Sequence, residues 1–348
     1  MASDVAADRG SGTGTEADVG PLPDIARREA GGWLVPAAAA VAIALLPLVV
    51  SPYGIDLVLR IGVYAIFALS LELLVGAAGL VSLGHAAFLG IGAYATVLGS
   101  GDSGGSMLWL VPLAVGCAAA YALFAGALSL RTRGVYFIMV TLAFSQMAYF
   151  VLHDTQVGGG SDGIFLYVKP VLQVGGVTWL DLDHRLTLYY TVLGALVGTY
   201  ALLAVLLNGR FGHALAGIRV NEQRMRAAGF STYRYKLAAF VIAGALAGLA
   251  GFLLAAKDGA VNPELLSWHE SGAVLLMLIL GGIGSLRGAV IGAAAFVLLK
   301  ELFQSGDLVG PLADHWQMTL GLTIIAFVAL LPKGLIGLGQ RLHGGGHG

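Results

Sequence analysis

Apolar runs alternate with short polar interruptions along nearly the whole chain. Ten runs stand out, at 33–50, 55–75, 84–99, 107–130, 134–152, 187–207, 236–256, 271–283, 288–303 and 316–332. A hydrocarbon core is crossed by about 20 apolar helical residues, and shorter runs belong to re-entrant or buried segments. The pattern predicts an all-α integral membrane protein, a bundle of about 8–10 transmembrane helices. The third, eighth and ninth runs are short and glycine-rich, which predicts broken or re-entrant helices. The transmembrane domain therefore covers 33–335. Residues 1–32 are polar and aperiodic and are expected to form a disordered tail. They lack a basic start and run into Trp33 without a leader pattern, so they are not read as a secretory signal. Residues 336–348, which end in HGGGHG, are expected to form a second flexible tail. The longest interruption between spans, 153–186, is too long for a simple turn and predicts a small cap outside the bilayer.

Composition strengthens this picture. The chain is 57% hydrophobic and 11% charged, with a mean hydropathy of +0.84. A soluble domain carries roughly a quarter charged residues, so lipid must serve as solvent here. Fifty-two glycines suit close helix contact in a membrane. A net charge of −1 offers nothing to a nucleic acid. The single cysteine, Cys117, excludes an internal disulfide and reads as a small buried hydrophobe.

The charges are unevenly placed. With ten spans and both termini on one side, that side collects 14 of the Lys and Arg residues and the other side 5. Such asymmetry puts both termini in the cytoplasm. The stretch 208–236, NGRFGHALAGIRVNEQRMRAAGFSTYRYK, holds 6 of the 19 Lys and Arg residues between two long apolar runs. Asn221 is placed to cap a helix starting at Glu222, whose carboxylate suits the positive end of the helix dipole. Glu222 and Arg226 lie one turn apart and are expected to pair. Gly229 is a natural left-handed stop. Met225, between Arg224 and Arg226, would be an apolar tooth on this short helix. The pattern alone fits a docking helix or a solvated loop that only sets topology.

Two ionisable groups sit inside apolar runs. Glu72 lies in FALSLELLVG near the inner end of its span, and His85 lies in the glycine-rich 76–94. Buried ionisable groups in membranes are costly and mark function. Both are candidates for the translocation path, yet each also fits a structural role, in which they would pair with one another. Gly284, Gly288 and Gly292, and likewise Gly244 and Gly248, have the spacing of tight helix contacts. The segment 281–292 faintly echoes 76–90. The sequence has no G-x-x-x-x-G-K-[ST] phosphate loop and no H-E-x-x-H zinc motif. An ion-coupled secondary carrier would need charged pairs in mid-span, which the pattern does not show. A membrane enzyme using Glu72, His85 and His153 would lack a catalytic motif.

RTRGVYFIMVTLAFSQM (131–147), GGSDGI (159–164), IRVNEQRMRAAGFSTYRYKLAAFVIAGALAGLAGFLLA (218–255) and LILGGIGSLRGAVIGAA (278–294) occur in that order. Together they resemble the LivM-type permease subunit of bacterial branched-chain amino acid ABC transporters, over about 55–335. The resemblance implies an ABC importer permease fold in the bacterial inner membrane and a non-catalytic subunit for hydrophobic amino acids. Permeases for urea and other small organic solutes share the same motifs. It implies a LivH-like permease partner, two cytosolic ABC ATPase subunits and a periplasmic amino acid-binding protein. No cofactor is expected on this chain, since ATP and Mg would sit on the ATPase. The 208–236 loop would be the coupling loop, with Asn221, Glu222, Arg226 and Gly229 as its coupling residues. Relatives are expected to carry Asn where this chain has Glu72.

Overall fold

A computed structural model describes residues 34–48, 50–101, 104–174, 177–305, 310, 315–331 and 334–337. The expected tails, 1–32 and all but the first two residues of 336–348, lie outside the described residues, as does Trp33.

Each of the ten apolar runs holds a helix. They are α1 (Leu34–Leu45), α2 (Pro52–Glu72), α3 (Ala86–Ser100), α4 (Met107–Ser129), α5 (Val135–Asp154) and α6 (Arg185–Asn208), and then α9 (Thr232–Asp258), α10 (Trp268–Gly281), α11 (Leu286–Gln304) and α12 (Trp316–Leu330). The 208–236 interruption holds two more, α7 (Arg210–Val220) and α8 (Glu222–Ala227). Six segments reach spanning length among the described residues: Pro52–Ala78, Met107–Ser129, Val135–Asp154, Arg185–Asn208, Thr232–Asp258 and Trp316–Gly337. Helices α10 and α11 are bent 115° to each other and make at most a seventh span. The eighth and ninth runs are thus one broken or re-entrant pair. The ten runs resolve into six full spans, this bent pair and the short helices α1 and α3. Length and glycine content marked the third, eighth and ninth runs as different, but the 115° bend is a matter of backbone geometry that hydropathy does not carry. The bend is set by Gly282 (φ 110°) and Gly284 (φ 98°), in a region that side-chain-bearing residues rarely adopt. Ser285 then caps α11 by accepting a hydrogen bond from the Gly288 amide at 3.2 Å.

Helices α2 and α9 form the centre. Their apolar windows are 78% and 67% buried, against 22% for α4, α5 and α6. The peripheral helices turn large apolar side chains outward, among them Phe124, Met139, Val205 and Leu322. An outward apolar face is what a lipid-facing helix requires. Helix α9 packs on α3, α4 and α2. The small-residue pattern in α9 works as its spacing suggests. A Cβ on Gly244 would stand 2.4 Å from Ala122 Cβ, and one on Gly248 2.5 Å from Ala118 Cβ. Helices α10 and α11 cross equally closely, since a Cβ on Gly292 would stand 1.9 Å from the Met277 carbonyl. Cys117 is half-buried on α4 rather than fully buried.

The 153–186 interruption is a compact cap. It contains two short 3-10 turns, Gln156–Gly158 and Gly160–Asp162. The two-residue strand β1 (Ile164–Phe165) pairs antiparallel with β4 (Ala260–Val261), just after α9. A hairpin follows, β2 (Val171–Val174) with β3 (Val177–Asp181). The cap is therefore tied to the end of α9, and Val171 also bridges to Ser106 ahead of α4. At this end Lys257 pairs with Asp258 and Asp56, and Lys169 with Asp183.

Candidate functional site

The opposite end of the bundle carries a cluster of basic residues. Arg131 and Arg133 in the α4–α5 turn, Arg226 on α8 and Lys236 on α9 line one cavity of about 480 Å³. A second cavity, of about 490 Å³, is lined by Gly79, Ile218, Arg219, Glu222, Lys236 and Ile283. The Gly282 turn of the bent pair faces the same end, where it packs on Gly334.

Helix α8 is built as its local sequence suggests. The Asn221 side chain accepts from the Arg224 amide at 2.9 Å. Arg226 donates to Glu222 across one turn. The stop is a left-handed Gly229 (φ 87°), with the Phe230 amide donating to the Met225 carbonyl at 3.0 Å. A six-residue helix does not hold itself together in water, and three further contacts hold this one. Lys236 donates to the second Glu222 oxygen at 2.8 Å, and the buried Thr232 hydroxyl donates to the first at 3.1 Å. Arg226 Nε donates to Thr232 Oγ1 at 3.1 Å. Glu222 is thus the clasp that joins α8 to the first turn of α9.

Burial pushes the Glu222 carboxyl up, but hydrogen bonds from Lys236 and Arg226, the Lys236 charge and Thr232 outweigh this and hold it down at about 2. A carboxyl depressed from 4.5 in the unfolded chain stabilises the clasp fully above that value and ceases to do so as pH falls through about 2. Amide exchange of 222–230, corrected for its intrinsic pH dependence, should therefore stay protected at pH 4.5 and rise only below it. Protection already gone at pH 4.5 would contradict the clasp.

Helix α7 was not legible as a separate element. It buries Gly212, Ala214, Leu215 and Ile218 and leaves Val220 exposed at its end. Met225 does not project as a free tooth. It is half-buried, and its sulfur lies 2.8 Å from where a Gly217 Cβ would be, so it clamps α8 onto α7. Among the apolar groups exposed beside α8 are Val220 and Phe230. Position alone could have suggested them, since each lies within a few residues of the helix.

Glu72 and His85 are both buried, at 3% and 0% exposure, but they do not meet. One Glu72 oxygen accepts from the Gly284 amide at 2.7 Å. His85 Nε2 lies 2.8 Å from Ser70 Oγ, and its ring stacks on Phe67. The expected pair fails because Glu72 and His85 sit on either side of a π-helical turn, Leu73–Ala78, and the loop behind it. Neither residue lines the two cavities described above. The two echoing segments, 76–90 and 281–292, each form a break between helices, α2 to α3 and α10 to α11. At the start of α3 the Ala86 amide donates to Ser271 Oγ, in the first turn of α10, at 2.9 Å, which satisfies one of the free amides there.

Known proteins share this chain's pattern. The family described as "branched-chain amino acid transport system / permease component" matches residues 53–328. The chain is 31% identical over 309 residues to the high-affinity branched-chain amino acid transport system permease protein LivM of Salmonella typhimurium, covering 83% of this chain and 71% of that protein. LivM of Escherichia coli K12 matches to the same extent. LivH of E. coli K12, from the same kind of system, is 27% identical over 39% of this chain and 43% of its own length. The xylose transport system permease protein XylH of E. coli K12 is 32% identical over 41% of this chain and 36% of its own length. No solved structure matches.

Proposed function

The chain belongs to the permease family of branched-chain amino acid transport systems, and from that premise we propose that it is the LivM-like half of an ATP-driven importer. It crosses the membrane many times. The basic end that carries α8 faces the cytosol of a bacterial inner membrane, as the excess of Arg and Lys there favours. Helix α8 docks on a cytosolic ATPase, with Asn221, Glu222, Arg226 and Gly229 keeping it stiff and Val220 and Phe230 offering apolar contact. The observation that carries this reading is the clasp. A two-turn helix capped at its start, stopped at its end and bound by Glu222 to a central span can transmit force. ATP and Mg belong to the partner ATPase, a LivH-like chain completes the path, and a periplasmic binding protein delivers the solute to the cap end. The substrate is a branched-chain amino acid.

The test is purification of the tagged chain from its own membranes, followed by reconstitution of whatever accompanies it. An ATPase pair and a second permease chain should copurify. Proteoliposomes should then take up leucine, isoleucine and valine only with ATP and the binding protein, and urea far less. Uptake by this chain alone, driven by an ion gradient, would instead establish a secondary carrier.

A further inference from the structure

Glu72 takes part in none of the coupling contacts described above, yet it is placed between the coupling segment and the bent pair. Its carboxylate reaches 212 residues along the chain to the Gly284 amide in the α10–α11 turn. The side chain lies directly over Gly76, where an added Cβ would stand 1.8 Å from Oε1. The same Gly76 offers its carbonyl to the guanidinium of Arg219 on α7. The Arg219 stem rests on Gly79, whose left-handed backbone (φ 69°) ends the π-helical turn. Such turns are rare and cluster at functional positions. A continuous set of contacts therefore runs from α8 through Met225 and Gly217 to α7, through Arg219 to Gly76, and through Glu72 to the turn of the bent pair.

We propose that the Glu72 carboxylate, seated on Gly76, is the latch that carries displacement of α7–α8 to the α10–α11 turn. It is a positioning residue, and the proposal deepens the function given above and rests on it. A buried acceptor fixed to a backbone amide resists extension, whereas apolar packing alone would let the turn slide.

The experiment uses the reconstituted complex with leucine as solute. It compares wild type with Glu72→Leu, Gly76→Ala, Glu72→Gln and the double variant that combines Glu72→Leu with Gly76→Ala. Leucine moved per ATP hydrolysed should fall about tenfold in Glu72→Leu and in Gly76→Ala, by loss of about 1.4 kcal/mol of linkage. The double variant should be no worse than either single one. Glu72→Gln keeps an oxygen acceptor and should stay within about twofold of wild type. Amide exchange over 282–286, read without ATP or solute, should quicken in the first two variants and not in Glu72→Gln. An unchanged transport ratio despite faster exchange overturns the latch, as does unchanged exchange. Gly76→Ala reports on the latch even if Glu72→Leu fails to fold. A wild-type complex that moves no leucine with ATP defeats the importer reading itself, which separates the two failures.

Discussion

Replacing Glu222 with alanine is expected to lower ATP-driven leucine uptake and uptake-coupled hydrolysis by at least about tenfold, with the binding protein still capturing its ligand. Glu222 accepts from Arg226, Thr232 and Lys236 at once. Its loss leaves the Lys236 ammonium, only 17% exposed, without its carboxylate. Hydrogen bonds to charged groups contribute about 1.5–3 kcal/mol each when sheltered, and less where water competes. A net loss of about 2 kcal/mol lowers the ratio of formed to unformed α8 by about thirtyfold, which a six-residue helix cannot recover from its own backbone. Gly229→Val should act the same way by a different route, because φ 87° strains any side chain. Coupled hydrolysis and uptake measured in the same vesicles check both. Wild-type rates in Glu222→Ala would remove α8 from the mechanism.

Gly251→Val is expected to have the largest effect on stability. A Cβ there would stand 2.0 Å from the Leu89 carbonyl and 2.8 Å from the Ala93 nitrogen, so α3 itself must move. Both neighbours are backbone and cannot rotate away, and α3–α9 contact lies at the buried centre. Overpacking of this kind costs about 1–3 kcal/mol, and more when two helices must separate. Gly194→Ala on the outward side of α6, with open space where the Cβ would go, should stay within about 1 kcal/mol of wild type. Thermal melts of the detergent-solubilised proteins compare them. Equal midpoints would show that α3 and α9 are not packed as described.

Much of the 208–236 segment was legible because its determinants are local. Asn221 as cap, Glu222 one turn before Arg226, and Gly229 as stop all act within a few residues, and backbone geometry places them in a short helix wherever it lies. The partners that give α8 its rigidity were not legible. Lys236 lies 14 residues from Glu222 and reaches it only because α9 begins by folding back beside α8. Met225 is apolar in either setting, so nothing in its surroundings in the chain separates a tooth facing a partner from a clamp on Gly217. Glu72 and His85 looked like neighbours because both lie in apolar sequence near one membrane face. The π-helical turn between them sends their side chains to different partners.

Hydropathy, glycine content and the placement of Arg and Lys were sufficient for a helical membrane protein, its ten apolar helices and its basic end, since each depends on the solvent a segment must meet. Which runs cross fully, which two form one bent pair, and what Glu72 and Glu222 hold were decided by packing. A buried polar group takes whichever donor the fold brings within about 3 Å, and that donor can lie 212 residues away.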